Sequence, residues 1–135
     1  MDANIRRAVE KELYSLPRLK ARLKNLHLDL IDHHHPDTLD SGKSNLPGDP
    51  VGSAAARELD IKSKIAVLET RIQKIENALE ALKEDERKLI DLRYLSPQRH
   101  DNDYVKDVLN MSKSTYYQFR EAILVTIAEI ICLCK

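Results

Sequence analysis

Apolar residues return along this chain at the three- and four-residue steps of an α-helix. From Asp2 onward Ile5, Val9, Leu13 and Leu16 keep that spacing, and Leu19, Leu23, Leu26 and Leu30 continue it past Pro17. The pattern predicts a long amphipathic arm. Pro17 has no N–H to donate within a helix, so the arm is expected to bend sharply there or to restart, with Ser15 as N-cap and Pro17 in the first turn. Between His33 and Ser53 the periodicity stops, and all 3 glycines of the chain fall in this stretch with Pro36, Pro47 and Pro50. This is a loop, longer than a corner between two helices requires. A second long helix is expected from Ser53 or Ala54. In it Ile61, Ile65, Leu68, Ile72, Ile75, Leu79 and Leu82 alternate steps of four and three, which is a heptad seam. Its partner is either the helix over Leu16 to Ile31, folded back antiparallel, or the same helix in a second copy.

The stretch from Glu84 to Arg120 has a different grain. Acids at Glu84, Asp85 and Glu86 suit the positive end of a helix dipole, and Leu89, Ile90 and Leu92 give that helix an apolar face. Ser96-Pro97 stops it after Tyr94, and a polar turn follows from Gln98 to Asp103. Tyr104, Val105, Val108 and Leu109 then predict a helix of about two turns. At the next corner Asn110 is the best non-glycine residue for a left-handed backbone, and Ser112 offers an N-cap oxygen to a further helix. On that helix Tyr116, Phe119, Ile123 and Ile127 share an inward face. This is the outline of a helix-turn-helix, read here as residues 84–135, behind a helical arm and coiled coil over residues 1–83.

Lys113, Ser114, Tyr117 and Gln118 fall on or near the outward side of the last helix, with Glu121 beside them as an acid that makes this face less basic, and Arg120 closes a run without acids from Lys113. Gln118 can bond an adenine edge in bidentate fashion, Lys113 can reach guanine or phosphate, and Ser114 can reach either. These residues are the candidate contacts to double-stranded DNA. Beyond Arg120 the helix is apolar on more than one side, so burial against two surfaces is expected, its own helix-turn-helix and either the long hairpin or a second subunit.

Composition agrees with an all-α fold: aromatic residues make up 4% of the chain and charged residues 33%. The 22 basic and 22 acidic residues cancel, so any affinity for DNA has to come from a local patch. The most basic segment is the opening arm, with Arg6, Arg7, Lys11, Arg18, Lys20, Arg22 and Lys24, and its bland reading is a solvated helix face. Cys132 and Cys134 have no metal or redox spacing and read as small buried hydrophobes of a reducing compartment. His33-His34-His35 cannot converge on one ion in helical geometry, so neither a metal nor another cofactor is expected. There is no glycine-rich phosphate loop and no nucleophile with a base and orienter, and the expectation is not an enzyme. His100 with Asp101 and Asp103 comes nearest to a catalytic cluster. With no signal peptide and no membrane span expected, the chain reads as a soluble, cytoplasmic protein.

The residues Glu86 to Tyr94 and Val108 to Tyr117, with Leu13 to Leu19, the Gly42-Lys43-Ser44-Asn45 loop and Asp49-Pro50, resemble the RinA/ArpU type of phage transcriptional regulators. The C-terminal part of that family is similar to region four of bacterial sigma factors. The resemblance implies activation of late phage genes by binding upstream of a promoter, with Lys113, Ser114, Tyr117 and Gln118 at the positions of the sigma recognition helix. A dimer is the expected assembly, and RNA polymerase a further partner. Two other readings stay open: a module that binds polymerase or a sigma factor with little DNA contact, and a DNA-recognition subunit of phage packaging.

Overall fold

A computed structural model describes residues 2–34 and 50–132, and all their regular structure is helical. The elements are α1 (Ala3–His34), α2 (Pro50–Glu80), α3 (Glu84–Ile90), a π-helical turn (Asp91–Leu95), α4 (Asn102–Val108) and α5 (Lys113–Ile130). Contacts cluster them into two units, Met1–Arg18 with Ile72–Lys135 and, separately, Leu19–Arg71. The centre of the expected 33–53 loop, with Gly42 to Asn45 and His35, lies outside the described residues.

Pro17 neither breaks nor restarts the first helix. α1 passes through it, and the Ser15 hydroxyl, expected as an N-cap, instead donates to the Lys11 carbonyl at 2.6 Å. A proline inside a helix costs about 3 kcal/mol. Val9, Leu13 and Leu16 are buried on one face of the same segment, and at about 1.5–3 kcal/mol each their burial exceeds that cost. Packing overrides local propensity here. α2 also begins earlier than expected, with Pro50 in its first turn, where a missing N–H breaks no helical bond.

In the first unit the core is Val9, Leu13 and Leu16 of α1, Ile72, Ile75, Ala78 and Leu79 of α2, Leu89 and Ile90 of α3, and Tyr94, Val105, Tyr116, Ile123, Leu124, Ile127 and Ala128. The apolar end of α5 is therefore covered by its own chain along the 123/127 and 124/128 rows, without a second subunit. Lys83 caps α3 through its backbone N–H, which donates to the Glu86 carboxylate at 2.8 Å. The helix widens to a π-turn before it stops. The Ser96 N–H reaches back five residues to the Asp91 carbonyl at 2.7 Å, with Pro97 next in the chain.

The second unit consists of the later half of α1 and the earlier half of α2, lying side by side. His27 Nε2 stands 3.8 Å from Glu69 Oε2, and Asp29 and Asp32 share one shallow depression with Arg57 and Ile61. Ile65 and Leu68 of the heptad seam are buried. On the other side of α2, Leu59 and Val67 are 66% and 64% exposed, and on α1 Leu28 and Ile31 are equally bare. No helix among the described residues is long and apolar enough to cross a membrane.

Candidate nucleic-acid interface

The corner between α4 and α5 is set by backbone hydrogen bonding. Asp101, rather than a later residue, opens α4: its carboxylate accepts from the Tyr104 N–H at 2.8 Å. At the other end the Met111 N–H bonds the Lys106 carbonyl and the Asn110 N–H the Asp107 carbonyl, both at 3.1 Å. These are the two bonds of a Schellman ending, which requires a left-handed residue, and Asn110 supplies it with φ 58°. Ser112 then caps α5, accepting from the Thr115 N–H at 3.3 Å and donating to the Thr115 hydroxyl at 2.9 Å. Two short-range signals in the sequence thus fix where α5 starts and which residues its first turns present.

Lys113, Ser114 and Gln118 are exposed. Tyr117 is half-buried, its ring edge-on to Tyr116 with the centroids 5.2 Å apart. Arg120 does not stand out with the exposed set. Its guanidinium lies 5.1 Å over the Tyr117 ring, its Nη1 is 3.5 Å from Asn102 Oδ1, and its Nε is buried without a partner among the described residues. Glu121, next along the helix, is held by Arg6 at 3.0 Å. That hydrogen bond keeps the Glu121 carboxyl below its usual range. The acid beside the outward face is thereby neutralised locally.

Behind α5 runs a polar network that the sequence pattern does not announce. Asn102 Oδ1 accepts from Arg93 Nε at 3.0 Å and from the Tyr116 hydroxyl at 2.8 Å. Arg93 Nη1 also donates to the Tyr14 hydroxyl at 2.6 Å, and the Tyr94 hydroxyl donates to Glu10 at 2.7 Å. Burial, followed by the Glu10 contact, pushes the Tyr94 phenol far above its ordinary value. Burial also raises Tyr116, against the pull of Arg120 and Arg93. Tyr14, Arg93 and Asn102 position α5, yet in sequence they look like a helix residue, a helix end and a turn. Only their polar character beside apolar positions hinted at partners.

His100 stacks on Tyr104 with centroids 4.2 Å apart. Cys132 is exposed rather than buried: it takes the left-handed position that ends α5, with φ 63°. Cys134 lies outside the described residues. No cluster of three or more metal-ligating side chains occurs among the described residues.

The arrangement defines an all-helical protein that presents Lys113, Ser114 and Gln118, among other polar side chains, at the start of an 18-residue helix. The chain belongs to a family described as Protein of unknown function (DUF722), which matches residues 1–129. No curated protein and no solved structure matches it.

Proposed function

We propose that this protein is a sequence-specific DNA-binding transcriptional regulator of the phage RinA/ArpU type, which activates late genes as paired copies. In this reading α4 and α5 are the two helices of a sigma region-four-like helix-turn-helix, and α1 with α2 form a helical hairpin. One observation carries it: the Asn110 and Ser112 corner presents Lys113, Ser114 and Gln118, all exposed, from the first turns of α5, with no acid before Glu121. That set has the donors and acceptors a major groove requires, at a helix N-terminus where residues contact base edges. Tyr117 contributes its exposed edge. Arg120 acts from behind by fixing Tyr117 and Asn102.

The test is binding to fragments of the protein's own genomic neighbourhood against scrambled DNA, over a salt series. Gln118→Ala is expected to reduce discrimination at one base pair by about 1–3 kcal/mol, and Lys113→Ala to lower the salt slope by about 1. Equal affinity for random DNA would remove the sequence-specific part of the proposal.

Pairing has its own support in the second unit. On α2 the residues Ala56, Leu59, Ser63, Ala66 and Thr70 repeat at heptad spacing on the side away from the buried seam, carry no charge, and are exposed. A second copy laid antiparallel would bring Lys62 of each helix beside Glu69 of the other. Leu59→Glu with Val67→Glu is expected to turn a dimer into a monomer in sedimentation; a monomeric parent protein would refute the pairing. The same bare apolar side chains favour a second reading, docking on RNA polymerase, for which co-purification without DNA is the discriminating result.

A further inference from the structure

The basic side of α1 has a counterpart elsewhere in the first unit. The turn between the π-helical segment and α4 carries Arg99, whose guanidinium lies 4.4 Å over the ring of Tyr14. Arg99 thereby joins Arg7, Lys11 and Arg18 around one open depression of about 420 Å³, floored by Tyr14 and edged by Glu10. The floor is rigid. Tyr14 meets Tyr94 edge-to-face at 5.1 Å and accepts a hydrogen bond from Arg93.

The charge balance of this depression is unusual for the unit. Arg6 is paired with Glu121, Arg87 with Asp91 at 3.0 Å, and Arg93 is bonded to Tyr14 and Asn102. Arg7, Lys11, Arg18 and Arg99 have no ion pair among the described residues, and all four are exposed. The one carboxylate at the edge, Glu10, is already accepting from the Tyr94 hydroxyl. Four like charges converging on one concave surface repel each other, and an anion in that surface relieves the repulsion.

The shape of the charge row selects the anion. At 1.5 Å per residue, Lys11 lies about 6 Å along the helix from Arg7, and Arg18 about 10 Å beyond it. The row therefore runs for about 16 Å, the axial length of about five nucleotides of one duplex strand at about 3.4 Å each. A single small anion would meet only part of it. Arginine forks and a lysine point charge suit phosphate oxygens and read no bases. Resting on the DNA-binding function proposed above, we infer that this row is a phosphate track: Arg7, Lys11, Arg18 and Arg99 hold the backbone of the duplex that α5 reads. It supplies the sequence-independent affinity that a neutral chain with three exposed reading residues otherwise lacks. The chain of bonds Tyr14, Arg93, Asn102, Tyr116 fixes the track's floor to α5, so that backbone grip and base contact share one register.

The experiment measures full-length protein on fluorescent duplexes, promoter and scrambled, between about 50 and 300 mM salt, a range over which phosphate contacts dominate the response. Arg7→Gln with Lys11→Gln, and separately Arg99→Gln, are compared with Gln118→Ala, and circular dichroism checks the fold of each. The double variant is expected to bind both duplexes about tenfold or more weakly at 0.1 M salt, with the salt slope reduced by about 2 and the promoter-to-scrambled ratio unchanged. Arg99→Gln is expected to lower the slope by about 1. Gln118→Ala is expected to keep the slope and lose the ratio. If wild-type protein binds the promoter duplex and the track variants match it in affinity and slope, the track is overturned while the regulator reading stands. If wild-type protein binds no duplex, both are overturned. A loss confined to single-stranded RNA of the same length, with duplex affinity intact, also overturns the track as stated.

Discussion

Asn102 is the side chain whose removal tests the internal architecture most directly. Its Oδ1 is the shared acceptor for Arg93 Nε at 3.0 Å and the Tyr116 hydroxyl at 2.8 Å, with Arg120 Nη1 at the limit of 3.5 Å. In Asn102→Ala the Tyr116 hydroxyl is left without an acceptor on a fully buried ring, a cost of about 1–3 kcal/mol. Arg93 also loses its Nε bond, but it is half exposed and keeps Tyr14, so its share lies near the low end of the range for charged donors, about 1 kcal/mol. The expected total is about 2–4 kcal/mol, a large part of the roughly 5–15 kcal/mol available to a domain. With a urea m-value of about 1–2 kcal/mol/M the unfolding midpoint falls by about 2 M. Urea titration followed at 222 nm, at fixed protein concentration, reads this shift. Two companions isolate the cause. Asn102→Asp keeps the acceptor between two arginines at a helix start and is expected to be near neutral. Asn102→Ala combined with Tyr116→Phe removes donor and acceptor together and is expected to cost at least about 1 kcal/mol less than the sum of the single changes. An Asn102→Ala protein within about 0.5 kcal/mol of wild type, or an Asp variant as damaged as the Ala one, would refute the network as a source of stability.

Two further outcomes follow from the same geometry. At the α4–α5 corner Asn110→Gly is expected to be neutral or slightly stabilising, because φ 58° places a β-carbon near the following carbonyl and glycine has none, while Asn110→Ala costs about 1 kcal/mol, because alanine keeps the β-carbon and loses the polar side chain that offsets it; equal stability of the two in thermal melts would argue against the left-handed corner. At high pH the protein is expected to lose stability. Tyr94 and Tyr116 have folded values raised above the ordinary 10.0, so their contribution is complete below pH 10 and declines as pH rises through that value, where the unfolded chain releases phenolic protons that the folded chain retains. Each such tyrosine contributes a slope of up to about 1.4 kcal/mol per pH unit there. Urea midpoints between pH 9 and 11 check this, with a flatter profile expected for Tyr94→Phe.

Much of the helical order was legible in the sequence because its signals are local. Heptad steps place Ile65, Leu68, Ile72, Ile75 and Leu79 on the buried side of α2, as found. The left-handed preference of Asn110 and the capping oxygen of Ser112 fix a corner within four residues, and no distant contact is needed to set it. The exposed trio Lys113, Ser114 and Gln118 follows from that corner by helical periodicity alone. All-helical class, helix order and the composition of the outward face of α5 were thus determined along the chain.

What the tertiary structure decided are the places where a distant residue outweighs a local preference. Pro17 stays inside α1 because Val9, Leu13 and Leu16 bury the same segment, which residue-by-residue propensity cannot weigh. Arg120 reads as an outward cation, but Tyr117 and Asn102 draw it in. Glu121 reads as an acid that dilutes the face, but Arg6, 115 residues earlier, occupies it. The end of α5, apolar on two sides, finds both covers within its own unit. The opening half of α1 shares a unit with residues 72–135, and this alone brings Arg99 beside Arg7, Lys11 and Arg18. Charge and hydrogen bonding act through space, so which charges remain free for a partner is a property of the fold, while where helices begin, end and turn is written residue by residue.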